Sequence, residues 1–410
     1  MAEISKAGSG FTQWTEMLEQ LGPVAENLIA HWEKPNPSPE ERQDLERLTL
    51  SSLAGAWLSH VSRDVSQPAF APLWNVWLNM GGPNPDYSYR VADIDPKGVY
   101  RLSGYRGTCR FVEIAQSAWE MMLPQTAGHP TGGDNTKPRP KPLPFHDFET
   151  LSIDDKGWFS VILSPERPAG YTGDWWQTDP RCIKLMMRSC SCDWVNEIDA
   201  RVAIVRLDRN DPMSRDELSR RMGNVAAWTE GIVAFDIRHA QHYRDTHPVN
   251  EMLVSQAMLA GGGVAEQLYY DCWFDLGEDD ALIVETAVPE DARYWQMLVA
   301  DDRFSTVDWV YRQSSLNDTQ MRIDSDGRAR FVVSARDPGV HNWLDKADNR
   351  TGIVQMRVKS GPQVPDPMTK VVPISVVRDH LPADTPTVSA EERAEALRQR
   401  AEAAQMRIWW

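Results

Sequence analysis

Two stretches of the chain, 151–194 and 321–358, carry the same alternation of hydrophobic and polar positions. The first runs Asp155, Lys156, Gly157, then Phe159, Val161 and Leu163 on alternate positions, then Ser164, Arg167, Pro168, Gly170, Asp174 and Trp175, and closes with 181–188. The second runs Asp324, Ser325, Asp326, Gly327, then Ala329, Phe331 and Val333, then Ser334, Arg336, Pro338, Gly339, Asn342 and Trp343, and closes with 353–357. The step from glycine to serine, 157 to 164 and 327 to 334, is the same in both. Period-two alternation marks a half-buried strand. One β-rich module is therefore expected twice, with any functional cleft between the copies or repeated on each.

Helical spacing dominates the first 80 residues. Leu50, Leu53, Ala54, Trp57, Leu58 and Val61 fall on one stripe of an amphipathic helix. Upstream, Trp14, Leu18 and Leu21 predict a helix that Gly22-Pro23 interrupts, because proline removes a donor and clashes with the preceding turn. It resumes through Leu28 and Trp32, and Pro35, Pro37 and Pro39 stiffen the link to the next helix. From Gly81 onward, short runs between Gly, Pro, Asn and Asp read as strands at 99–102, 108–112, 158–163, 183–187, 269–274, 282–285 and 294–299. Residues 124–146, dense in proline and glycine, predict a long exposed loop, read as an insertion rather than a lid. Ser214 and Glu217 form a capping box ahead of Leu218, Met222, Val225 and Ile232, which predicts one helix running to about His242. A second box, Ser389 with Glu392, opens a C-terminal helix whose apolar ending, Ile408-Trp409-Trp410, is expected to dock on the protein body or on a partner subunit.

The expected fold is mainly β with helical additions (α+β). It comprises a helical region over 1–80, a first β-sandwich module over 81–210, an inter-module helix within 211–262, a second module over 263–360, and an extended segment with a docking helix over 361–410. The 410 residues are 41% hydrophobic and hold no long apolar run, so no membrane span is expected. A formal charge of −16 disfavours nucleic acid and anionic membrane as partners. The opening MAEISKAGSG lacks the basic and apolar regions of a secretory signal, and five cysteines without framework spacing read as reduced thiols; a cytoplasmic location follows.

Few motifs carry chemistry. Gly261-Gly-Gly lacks the pattern of a phosphate cradle, no nucleophile elbow is present, and His239, His242 and His247 match no zinc spacing, so neither metal nor cofactor is expected. Among 17 tryptophans, Trp175, Trp176 and Trp343 follow Pro and Gly in the repeat loops, where they plug the sandwich end or line a pocket. Glu285, Arg188, Asp193 and Arg293 interrupt apolar runs, as paired structural ions do and as members of a shielded site do. The loops add 84–87, 337–342 and 311–317; the last, with Tyr311, Arg312, Ser314, Ser315 and Asn317, is the preferred binding segment.

Several of these residues resemble domain-of-unknown-function family 1214: Asn84-Pro-Asp86, Tyr100-Arg101 with Gly104 and Gly107, Asp193-Trp194, Ala292-Arg-Tyr-Trp295, Ser315-Leu-Asn317 with Gln320, and Asp337-Pro-Gly-Val with Asn342-Trp-Leu-Asp345. The resemblance spans roughly residues 40–400 and implies a jelly-roll-like sandwich for the C-terminal module, with no established reaction. Its relatives occur mainly in bacteria that metabolise aromatics, lipids and steroids. Asp174 and His341 depart from the family pattern.

The leading expectation is a cofactor-independent enzyme, hydrolase or lyase, acting on a hydrophobic or polyhydroxylated small molecule between the modules. Asp86 or Glu285 would be the acid/base, and Arg312 and Asn317 would stabilise developing negative charge. Tyr87, Tyr270 and Trp343 would sandwich the substrate, with Arg293, Tyr311 and Ser314 adding contacts. The alternatives are a non-catalytic binder of sugars or amphipathic ligands through exposed tryptophans, and a structural or assembly protein, with the C-terminal helix as the route to a homo-oligomer.

Overall fold

The computed structural model describes residues 12–118, 143–255 and 266–407. Most of the 124–146 loop, Gly261-Gly-Gly and the Ile408-Trp409-Trp410 ending lie outside them. The duplicated alternation builds two β-sandwiches. The first uses β1 (Ala71–Pro72), β2 (Tyr87–Asp93), β3 (Tyr100–Tyr105), β4 (Phe111–Ser117), β5 (Phe145–Asp147), β6 (Trp158–Ser164), β7 (Asp174–Gln177), β8 (Lys184–Cys190) and β9 (Arg201–Arg206). The second uses β10 (Leu253–Ser255), β11 (Gln267–Asp275), β12 (Asp280–Ala287), β13 (Tyr294–Asp301), β14 (Ser315–Asn317), β15 (Arg328–Ser334), β16 (Trp343–Asp345), β17 (Thr351–Lys359) and β18 (Met368–Pro373). Sheet order is β1-β2-β8-β4-β5 over β7-β6-β3-β9 in the first, and β10-β11-β17-β13-β14 over β16-β15-β12-β18 in the second. Adding nine to every label of the first module gives the second, so the copies share one topology. Strand β18 lies beyond residue 360, inside the Pro-rich stretch that the sequence reads as merely extended.

The repeated motif explains why the copies fold alike. Gly157 (φ 83°) and Gly327 (φ 78°) close the turn before β6 and β15 in a left-handed conformation that glycine adopts freely. At the far end Ser164 and Ser334 accept the indole N–H of Trp175 (2.9 Å) and Trp343 (3.0 Å), which fixes the parallel β6–β7 and β15–β16 pairs. Trp343 is buried against Ile283, Val332 and Val377 on the outer face of the four-stranded sheet, not at the sandwich end. Trp343→Phe keeps the apolar area but orphans the serine acceptor, and is expected to cost about 1–2 kcal/mol. An unchanged urea midpoint would show the indole N–H to be dispensable.

Both sandwich cores are closed by apolar residues on inward strand positions, such as Val112, Leu163 and Leu185 in the first and Phe274, Val299 and Phe331 in the second. The helices cover the opposite faces of the two five-stranded sheets. Helix α1 (Thr12–Leu21) breaks at Gly22-Pro23 into α2 (Val24–Trp32), as the sequence predicts. Helix α3 (Pro39–Ala56) forms where expected but presents another face. Leu50 and Trp57 are exposed, while Leu45, Leu48, Ser52, Gly55 and Ala56 are buried. Its contact face is built from small residues: a Cβ at Gly55 would lie 3.3 Å from the Trp228 ring, and Ser52 Oγ donates to Thr229 O at 2.8 Å. The single helix expected after Ser214 is two, α4 (Arg215–Gly223) and α5 (Val225–Thr246), because poor helix formers, Gly223 and Asn224, meet at the junction. Helix α5 touches both sheets: its first turns join the cluster holding Tyr89, Val91 and Met186, and Ala240 and Tyr243 pack on Trp273, Leu298 and Ile353.

Helix α6 (Ala390–Met406) has the full capping box at Ser389 and Glu392. Arg393 near its start pairs with Asp337 in the second module, and Arg407 just past its end pairs with Asp199 in the first. It therefore bridges the sandwiches within one chain. Among the described residues no helix is long and apolar enough to cross a membrane.

Candidate functional site

Strand registers align the outward faces of the two five-stranded sheets row by row. In the first module Tyr89, Arg188 and Glu113 sit side by side on β2, β8 and β4; in the second, Tyr269, Arg357 and Gln296 hold the matching places on β11, β17 and β13. One step along, Tyr87 matches Gln267 and Phe111 matches Tyr294. Matching residues meet: Tyr87 OH donates to Gln267 Oε1 at 3.1 Å, and the Phe111 and Tyr294 rings lie 6.3 Å apart. Like-to-like contact places a local two-fold axis through the seam between the modules. Lys359 and Glu113 close it with an ion pair of 2.9 Å whose side chains are 1% and 2% exposed.

At one end of the seam Asp86 and Asn317, far apart in sequence and both singled out from it, come into direct contact. Asn317 Nδ2 (2.7 Å) and Trp194 Nε1 (2.8 Å) donate to Asp86 Oδ1, and Tyr294 OH donates to Oδ2 at 2.6 Å. Arg407 donates to the Asp86 carbonyl (2.9 Å) and stacks on Trp194, as does Arg400. Burial pushes the Asp86 carboxyl up, while the bonds from Tyr294 and Asn317 and the charge of Arg407 oppose it. A carboxylate holding three side-chain donors in a dry site is built to stay still.

The other residues singled out from the sequence are dispersed. Tyr87 spends its hydroxyl on Gln267. Glu285 lies on the four-stranded sheet of the second module, ion-paired with Arg330 (2.7 Å) and Arg328 (3.2 Å), and is not brought to Asp86. Arg293 pairs with Asp147 across the modules. Tyr270 points into the second sandwich core and donates to Val364 O at 2.9 Å. Ser314 Oγ caps its own loop at Val307 O (2.7 Å). Tyr311 (64% exposed) and Arg312, which pairs with Asp345 at 2.9 Å, line an open cleft of about 820 Å³ between α2, α3 and the second module.

The middle of the seam joins Asp271, Gln296 and Arg357, which the sequence does not single out, to His239 and Arg188, which it does. On α5, His239 and Tyr243 lie one turn apart, with Tyr243 OH 3.0 Å from His239 Nε2. The Tyr243 hydroxyl also bonds to Asp271 on β11, which accepts from Gln355 Nε2 at 2.6 Å; Gln355 Oε1 in turn accepts from Arg357 Nε at 2.5 Å. Burial raises the Asp271 carboxyl to about 6 against the bonds from Gln355, Tyr243 and Ser255. Burial, helped by the charges of His242 and Arg357, lowers His239 to about 3, so this imidazole is neutral across the working range. Several polar atoms here are buried without a hydrogen-bond partner: Asp271 Oδ2, Gln267 Nε2, Arg188 Nε, and both Oε1 and Nε2 of Gln296. Such orphans are uncommon, and their gathering at one place marks a site for something polar. The signal was present in sequence as the i, i+4 pair His239/Tyr243 and as Asp271 alternating with Tyr269 and Trp273, but β11 is buried on both faces, so alternation does not separate a core face from a site face.

Among the described residues no cluster of three or more His, Cys, Asp or Glu side chains has an arrangement that would hold a metal ion. Residues 274–363 match the family described as a protein of unknown function, DUF1214. An uncharacterised protein from Burkholderia cenocepacia, of known crystal structure, is similar at 26% identity and a TM-score of 0.77, over 89% of this chain and 98% of that one. The VPA0106 protein from Vibrio parahaemolyticus is similar at 12% identity and a TM-score of 0.46, over 80% of this chain and 99% of that one. No curated protein matches the chain.

Proposed function

We propose that this chain, which carries the DUF1214 domain over residues 274–363, is a cofactor-independent enzyme that moves a proton on a small molecule held in the seam between its two sandwiches. The observation that carries this reading is the Asp271 carboxyl: buried, raised to about 6, and held by bonds from Gln355 (2.6 Å), Tyr243 and Ser255. A carboxylate base works best when its pKa lies near the operating pH and it is held in place to take the proton. Oδ2 of Asp271 would accept that proton. Tyr243, hydrogen-bonded between Asp271 and neutral His239, would position the carboxylate and return the proton through its hydroxyl. Arg357, bonded to Gln355, would stabilise negative charge developing on the substrate. Asp86 and Asn317 take a supporting role here, holding the modules at the spacing the seam requires.

The test is exchange chemistry. A panel of small carbonyl compounds is incubated with the protein in deuterium oxide and followed by proton NMR. Wild-type protein is expected to wash deuterium into a carbon position of at least one compound, and Asp271→Asn to slow this at least 100-fold while remaining folded. Equal exchange by both proteins would remove Asp271 from the chemistry.

A non-catalytic reading draws on the 820 Å³ cleft, whose rim bears Trp77 (55% exposed) and Tyr311 beside Asp308 and Asn349. Exposed aromatic faces among planar polar groups suit polyhydroxylated ligands. Quenching of tryptophan fluorescence by oligosaccharides in wild-type protein, lost in Trp77→Ala, would support it. An identical response in both proteins would discard it.

A further inference from the structure

Resting on that reading of the seam, we infer that the substrate carries a carboxylate, received between Arg188 and Arg357.

Three cations, Arg188, Arg357 and Lys359, face the seam from β8 and β17, and each belongs to a residue less than 4% exposed. Lys359 is matched by Glu113 at 2.9 Å. Neither arginine has a carboxylate within ion-pair distance among the described residues. Arg357 spends its donors on neutral acceptors, Gln355 Oε1 and the Gly82 carbonyl, both at 2.5 Å. Arg188 lies 6.0 Å over the Tyr89 ring and leaves Nε unpartnered. Asp271 is the only other acid on these rows, and burial weakens its hold on charge. From α5, Asp236 adds little, because burial pushes its carboxyl well up. The seam is left with an excess of about one positive charge in a dry interface, where an uncompensated guanidinium is costly.

Geometry narrows what restores the balance. Both arginines flank Tyr89: Arg188 over its ring, and Arg357 through a hydrogen bond to its side chain. Beside them Gln296 offers an unpartnered amide N–H and an unpartnered carbonyl oxygen. A planar acceptor with two oxygens and a single charge fits two guanidinium groups and an amide donor. A phosphate dianion would overshoot the balance by one charge. The duplication points the same way. Gln296 holds the place that Glu113 occupies in the first module, so the second copy lacks an internal carboxylate at the position where an external one would lie.

The test uses the full chain and the smallest carboxylate, acetate, with acetamide and chloride as neutral and anionic controls. Acetate at tens of millimolar is expected to raise the melting temperature above either control at equal concentration. Gln296→Glu supplies the missing charge from within. It is expected to raise the ligand-free melting temperature and to abolish the acetate response. Arg188→Met is expected to abolish the acetate response without lowering the ligand-free melting temperature. A response to acetamide equal to that of acetate, or an acetate response that survives in Gln296→Glu, would overturn the carboxylate assignment. Deuterium exchange that still depends on Asp271 would then leave the acid/base reading standing, so the two failures are separable.

Discussion

Asp86→Ala is expected to destabilise the protein by about 3–5 kcal/mol, the range found when one partner of a buried charged network is removed. The loss has two parts. Trp194 Nε1, Asn317 Nδ2 and Tyr294 OH lose the acceptor they converge on, and each buried donor left unpaired costs about 1–3 kcal/mol before relaxation. Arg400, half-buried, and Arg407, buried, also lose a nearby negative charge. Asp86→Asn keeps an acceptor oxygen and should fall roughly midway. Urea unfolding checks both: a lowered midpoint with an unchanged slope is the expected result. If Asp86→Asn unfolded like wild type while losing all turnover, Asp86 would be the acid/base that the sequence suggested, and the structural role described here would fail.

Asp271→Asn is expected to slow turnover by about 10²–10⁴-fold, the usual worth of a positioned general base. In wild type the rate should fall tenfold per pH step below about 6, as protonation removes the base. The same group makes a stability prediction of opposite sense to the usual carboxylate. Its folded pKa lies above the unfolded value of 3.8, so folding favours the protonated form. Its favourable state is therefore present at low pH and is lost as pH rises through about 6. Between pH 4 and pH 7 the wild type should lose about 2.4 kcal/mol relative to Asp271→Asn, at about 1.4 kcal/mol per pH step between the two pKa values and allowing for the part already lost at pH 4. A constant stability difference across that range would mean that Asp271 is not held in a proton-favouring environment.

The duplication could be read from the chain because each inward strand position meets a dry core, and period two survives wherever one face differs from the other. Phe159, Val161 and Leu163 match Ala329, Phe331 and Val333 for that reason. The seam was harder to read. Strands β2, β8 and β13 are buried on both faces, so Tyr89, Arg188 and Gln296 look like interruptions in apolar runs rather than members of one row. Arg188 was singled out as an interrupted charge, but Asp271, Gln296 and Arg357 became visible only once registers paired them. Of the ten site residues expected, Asp86 and Asn317 do converge, because the turn before β2 and the end of β14 meet at the same end of the seam. The face of α3 differs from the apolar stripe for another reason: that stripe runs through Leu50 and Trp57, whereas the contact with α5 is made by Ser52 and Gly55. Close helix packing selects small side chains, and an apolar count does not register them.

Helix α6 bears on the order in which the molecule is made. Residues 71–206 and 253–373 emerge from the ribosome before Arg407 does, so each sandwich has its strands in hand while the anchor to Pro85, Asp86 and Asp199 is still unsynthesised. The two halves thus acquire their interiors early, and Arg407 adds the last tie to a seam that Lys359 and Glu113 already close. A nascent chain stalled before position 407 would hold the sandwiches through that seam but leave Asp199 and the Asp86 carbonyl without their guanidinium partner.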